Sequence, residues 1–127
     1  MNEKNITELP INSSIEEAQD YLLINEPTVN LYPTLAVALG INEALILAKL
    51  DSLLETSSVS KEGHIWCKHT YHQWHTHFPF RCKKTIERAI RKLEKHGYII
   101  SITTFENGLM DKTKWYRIDY DKMQQLA

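Results

Sequence analysis

Apolar residues recur along this chain with two periods, and the switch between them falls at Gly97. Upstream, Ile46, Leu47, Leu50, Leu53 and Leu54 stand at i, i+1, i+4, i+7 and i+8. That spacing puts them on one face of a helix that begins after Gly40 and stops near 56–60, with Lys49, Ser52 and Glu55 on its wet side. His64-Ile65-Trp66-Cys67-Lys68 alternates after Gly63 and reads as a short strand. Thr70 caps a second helix of two turns, through Trp74 to His77, closed by Phe78-Pro79-Phe80. A third helix spans about 82–96, with Gly97 just past its end, where left-handed backbone is needed. Beyond Gly97 the period becomes two. Residues 98–105 are rich in Ile and Thr, Asn107-Gly108 is a hairpin signal, and 114–120 returns as a second strand.

The first 40 residues are less regular. Ser14-Ile15-Glu16-Glu17 has the spacing of a capping box and predicts a short helix over 15–22. Pro27 and Pro33 break any long element, so 23–35 reads as extended or looped. There is no internal repeat. The organisation this predicts is an acidic N-terminal extension over 1–40, an α+β domain over 41–122 and a tail over 123–127. Within the domain, the order helix, short strand, helix, helix, strand, turn, strand is that of a winged helix-turn-helix. Its parts are a three-helix core, a short strand and a C-terminal β-hairpin wing.

Composition bounds the chemistry. The chain has 127 residues, 43% hydrophobic and 24% charged, enough for one domain with a core of its own. Its net charge of -1 excludes indiscriminate coating of polyanions. That figure hides a segregation: residues 1–60 carry nine acids and two bases, residues 61–127 thirteen bases and seven acids. The polar start has no signal-peptide pattern and no apolar run approaches a membrane span, so a cytoplasmic protein without membrane contact is expected. Cys67 and Cys82 are too few for a disulfide scaffold and read as free thiols.

The third helix concentrates the positive charge. Ile86, Ile90 and Leu93 form its apolar stripe beside the small Ala89, while Lys84, Arg88, Arg91 and Lys95 follow i, i+4, i+7, i+11 on the opposite side. Residues 81–95 hold seven bases against two acids. A charge stripe is ordinarily a solvated face. Here it is nearly single-signed and lies on the second helix of a short helix-turn-helix, and both features favour double-stranded DNA as partner. The predicted base readers are Lys83, Lys84, Thr85 and Arg88, in and just after the first turn, with Arg81, Arg91 and Lys92 set for phosphates. Asn107, Lys112 and Lys114 of the wing form a second contact region, diluted by Glu106 and Asp111.

Several blocks carry a family resemblance: Leu23-Ile24-Asn25-Glu26-Pro27, Pro33-Thr34-Leu35-Ala36-Val37-Ala38-Leu39-Gly40-Ile41-Asn42-Glu43-Ala44, Gln73-Trp74-His75-Thr76-His77-Phe78-Pro79-Phe80, Lys84-Thr85-Ile86 and Asp111-Lys112-Thr113-Lys114-Trp115-Tyr116-Arg117-Ile118-Asp119-Tyr120. Together they resemble the N-terminal winged-helix domain of phage and plasmid replication proteins of low-GC Gram-positive bacteria, the replisome organisers and DnaD-like primosomal proteins. The resemblance spans 22–122. It implies binding to origin or fork DNA, with the helicase or its loader among the partners. The sequence departs from that pattern by ending soon after the 120–122 block, by its acidic first segment, and by Cys82 where such proteins carry Ser. The departures leave open a DNA-binding module of a longer protein or a small stand-alone one.

Two other function classes fit the same elements: a small transcription repressor using the same helix, and a winged-helix module that binds protein as an inhibitor or adaptor. The acidic first half has three readings: a solvated face, a surface for a partner or a second copy in a homodimer, or a repulsive side that orients the domain on DNA. His64, His69, His72, His75 and His77 crowd one stretch. His72 and His75 are three apart, but no paired-Cys or HExxH spacing backs a metal, and none is expected. Protonation of these histidines below about pH 6.5 would add positive charge beside DNA. Trp66, Trp74, Trp115, Phe78, Phe80, Tyr98 and Tyr116 sit within apolar patterns and read as core rather than as base-stacking residues. No paired catalytic carboxylates, oriented nucleophile or phosphate-cradling loop is evident, so neither an enzyme nor a cofactor is expected.

Overall fold

A computed structural model describes residues 23–103 and 113–126. The predicted helix over 15–22 and the Asn107-Gly108 turn lie outside the described residues. What is described is an α+β fold, with five helices and one four-stranded antiparallel sheet.

Residues 23–32, which include Pro27, form no regular element, but the irregular stretch ends earlier than 35. Pro33 opens helix α1, Pro33–Leu39, instead of prolonging the loop. At the first position of a helix the missing N–H has no partner to lose, and the fixed φ of proline already suits the helix. Gly40 then serves two helices. Its N–H donates to Ala36 O at 2.9 Å, its carbonyl accepts from Ala44 N at 3.0 Å, and its φ of 114° is one that side chains rarely adopt.

Helix α2, Ile41–Thr56, spans the predicted range but is buried more fully than a one-faced pattern implies. Ala44, Leu45, Ile46, Leu47 and Ala48 are buried in succession, followed by Leu50 and Leu54. Five consecutive buried residues cover every side of a helix, because α1 packs against one side of α2 and the sheet and α4 (below) against the others. Only Ser52 and Glu55 of the predicted wet face are exposed; Lys49 is half-buried.

Strand β1, Val59–Lys61, precedes the predicted strand, β2, His64–His69. They pair antiparallel with Lys61 opposite His64, so Glu62-Gly63 is a two-residue loop. Both loop residues have positive φ, 56° and 82°, the geometry that matches the twist of a tight hairpin. Helix α3, Tyr71–His77, begins on a capping box: Thr70 Oγ1 accepts from Gln73 N at 3.0 Å, and Gln73 Oε1 accepts from Thr70 N at 2.8 Å. Helix α4, Lys83–Lys95, ends as predicted on Gly97, φ 82°. There Tyr98 N–H reaches back to Leu93 O and Gly97 N–H to Glu94 O, closing the helix in a Schellman motif.

Strands β3, Ile99–Ile102, and β4, Lys114–Ile118, complete the sheet in the order β1-β2-β4-β3. The alternation over 114–120 overran its strand. Asp119 accepts from Lys122 N at 3.1 Å and starts helix α5, Tyr120–Gln124, so Tyr120 and part of the expected tail are helical. Tyr120 Oη donates to Asp51 Oδ1 at 2.7 Å, fixing α5 to α2.

The core joins Ile46, Leu47 and Leu50 of α2 to Trp74, Phe78, Ile86, Ile90, Leu93, Ile99, Tyr116 and Ile118. Trp66 and Trp115 are also buried, Tyr98 is half-buried, and Phe80 departs from the expected pattern by lying 56% exposed. Both cysteines are free thiols, Cys67 buried and Cys82 exposed. Among the described residues no helix is long and apolar enough to cross a membrane.

Candidate nucleic-acid interface

Helix α4 is held by the face that its sequence marks as apolar. Ile86, Ala89, Ile90 and Leu93 are all buried against α2, α3 and β3. Burying three branched side chains of this kind contributes about 2 kcal/mol each, which fixes the helix's rotation. Fixing it leaves Lys83, Lys84, Arg88, Arg91, Lys92 and Lys95 exposed. The connection from α3 to α4 is short, Phe78 to Cys82, and is braced by His75 Nε2 donating to Arg81 O at 2.8 Å.

The exposed cations are not equivalent. Lys83, Lys84, Arg88 and Lys95 make no ion pair or side-chain hydrogen bond among the described residues. Arg91 stands 3.8 Å from Glu87 and 5.6 Å above the Tyr71 ring, while its side chain stays 63% exposed. Lys92, predicted to meet phosphate, is turned toward the scaffold. Its Nζ donates to Leu39 O at 3.1 Å and lies 3.6 Å from Glu43, tying α4 to the junction of α1 and α2. Arg81 is half-buried, stacked 5.8 Å over Phe80, and its Nε is buried without a hydrogen-bond partner among the described residues. Thr85 is half-buried, and its hydroxyl contacts Cys82 Sγ at 3.1 Å. That contact draws the Cys82 thiol below its ordinary pKa.

Lys114, expected to reach DNA, lies in an internal cluster. Its Nζ donates to Glu94 Oε2 at 2.9 Å and Oε1 at 3.2 Å, and to Tyr71 Oη at 3.0 Å. Burial opposes its charge, but Tyr71 and Glu94 outweigh burial and hold its pKa above the ordinary value. Asn107 and Lys112 lie outside the described residues. The structure therefore brings Lys83, Lys84, Arg88, Arg91 and Lys95 together on one exposed helix and engages Lys92 and Lys114 elsewhere.

Glu94 and Tyr71 were not singled out in the sequence. Glu94 reads there as one of two acids on a basic helix, and Tyr71 as an aromatic at a helix start. Their roles depend on contacts across 20 and more positions, which no local pattern reports.

Three of the five histidines, His69, His75 and His77, are engaged by other groups of the fold, while His64 and His72 are exposed. His69 Nδ1 lies 2.7 Å from Lys68 O. A carbonyl only accepts, so Nδ1 carries the proton and His69 Nε2 accepts from His77 Nε2–H at 2.9 Å. This joins β2 to the end of α3. Burial, then the Lys49 charge, then His69 push the His77 pKa down to about 4, so His77 stays neutral through the range in which added charge was expected. His75 Nε2 is engaged with Arg81 O, and His72 is exposed. Among the described residues no group of three or more His, Cys, Asp or Glu side chains is placed to hold a metal.

The chain matches no family model, no curated protein and no solved structure.

Proposed function

We propose that this chain binds duplex DNA, with α4 as the recognition helix in the major groove and the β3–β4 hairpin as a wing beside it. In this reading α2, α3 and α4 are the three helices of a winged helix-turn-helix. The observation that carries it is the row Lys84, Arg88, Arg91 and Lys95 on α4, exposed on a helix whose opposite face is locked into the core. Such a row places cations along a groove wall and leaves the first-turn residues Lys83 and Lys84, with Arg88, facing base edges. Lys92 and Lys114 act as internal ties rather than DNA contacts. The resemblance noted in the sequence supports replication-origin DNA as the setting, with the helicase or its loader as further partners.

Selection of bound sequences from random duplex DNA at physiological salt, with a single-stranded competitor, tests the reading. A recovered duplex motif, insensitive to the competitor, is the expected result. Enrichment of no sequence together with a stoichiometric protein partner would favour an adaptor instead.

A further inference from the structure

Helix α4 carries two acids, and they are placed differently. Glu87, its side chain 23% exposed, stands 3.8 Å from Arg91, a partner one turn along the same helix. The Glu94 side chain is only 18% exposed and is the centre of a network joining four elements. From β3, Ser101 Oγ donates to Glu94 Oε2 at 2.7 Å. From β4, Lys114 Nζ donates to both carboxylate oxygens. From α3, Tyr71 Oη accepts from the same ammonium, and the Tyr71 ring lies under both Lys114, at 5.3 Å, and Arg91, at 5.6 Å.

The network sits at the outer end of the β3–β4 pair. Lys114 is the first residue of β4, and Ser101 is one residue from the end of β3. Ile99, Ile118 and Tyr116, the cross-strand partner of Ser101, hold the pair in the core, and Glu94 adds a polar tie over its last residues. A charge-assisted pair with this little exposure has a defined geometry, unlike a solvated surface pair.

We propose that Glu94 is a positioning residue: by pinning Ser101 and Lys114 it sets the hairpin, and through Tyr71 the Arg91 guanidinium, at one fixed placement relative to α4. This rests on the DNA-binding reading, in which helix and hairpin engage the duplex together. Glu94 itself contacts no DNA. A carboxylate on a DNA-facing helix repels phosphate, so simple electrostatics and positioning predict opposite signs when it is removed.

The test is duplex affinity and salt slope for Glu94→Ala, Glu94→Gln, Ser101→Ala and Lys114→Met. Positioning predicts that Glu94→Ala weakens binding by about 5- to 20-fold although a negative charge has been removed. Glu94→Gln, which keeps an oxygen for Ser101, recovers part of the loss. The double variant Glu94→Ala with Lys114→Met binds no worse than Glu94→Ala alone, because both act through one network. Unchanged or tighter binding by Glu94→Ala overturns the proposal.

If Glu94→Ala does not fold, Ser101→Ala carries the test: weaker binding at an unchanged salt slope supports the proposal, and unchanged binding overturns it. Amide exchange provides a readout that needs no DNA. Residues 99–102 and 114–118 should exchange faster in Glu94→Gln while 86–93 do not, and equal exchange overturns the pinning. Failure of the wild type to bind duplex would refute the DNA reading and leave that exchange result to decide the network.

Discussion

Helices α2 and α4 lie against each other in one core and are opposite in design. Helix α2 hides five residues in succession, and even Lys49 and Asp51 near its middle are half-buried. Helix α4 hides four residues at helical spacing and exposes six cations. The first is surrounded and acts as scaffold. The second is gripped along one side and presented along the other. If α4 binds DNA as proposed, a change in α2 should affect folding, whereas a change on the outer side of α4 should affect binding and leave folding nearly untouched.

The largest expected effect tests the scaffold half of that contrast. Leu50→Ala removes a fully buried side chain and should destabilise the fold by about 2–5 kcal/mol in urea denaturation. A cost below about 1 kcal/mol would show that α2 is not surrounded as described. Next comes the junction that ends α4. Gly97→Ala forces a side chain into the left-handed region and should cost about 1 kcal/mol, although the nearest atom, Lys122 Nζ, can move aside.

A similar or smaller effect is expected from pH. The folded-state pKa of His77 lies below its unfolded value, so the unfolded chain takes up the extra proton. Stability from this residue is present above about pH 6.5 and is lost as pH falls toward 4. Partial exposure reduces the effect to roughly 1 kcal/mol. Thermal unfolding at pH 7.0 and 5.0 should show the fall, and His77→Gln should flatten it; an equal fall in the variant would assign it to other groups. The smallest expected effect is a gain. Asn tolerates the positive φ at position 62 better than Glu, so Glu62→Asn should stabilise the β1–β2 turn by a few tenths of a kcal/mol in the same unfolding measurement.

The contrast between α2 and α4 was half legible in the sequence. Period located α2, α4 and β2, the Thr70 cap and the Phe78-Pro79-Phe80 stop located α3, and Gly97 set the end of α4. The all-round burial of α2 was not legible, because it depends on α1, whose opening proline looks like a helix breaker. Strand β1 is three residues long, too short to show a period, and only Glu62-Gly63 signals it. Helix α5 was masked by an alternation that continued past Asp119. At the candidate interface, charge and spacing identified the row on α4, since exposure there follows from the stripe behind it. They did not separate Lys84 and Arg88 from Lys92 and Lys114. That distinction needs Leu39, Glu43, Tyr71 and Glu94, which reach these lysines only in the folded chain.

The measurement that tests the central claim most directly is duplex binding against salt concentration for the wild type and for the triple variant Lys84→Ala, Arg88→Ala, Arg91→Ala. The three side chains are exposed, so the variant should unfold within about 0.5 kcal/mol of the wild type. Its affinity should be lower by one to two orders of magnitude, with a logarithmic salt slope shallower by about two to three. A variant that folds normally and binds duplex with wild-type affinity and slope would contradict the assignment of this face of α4 to DNA.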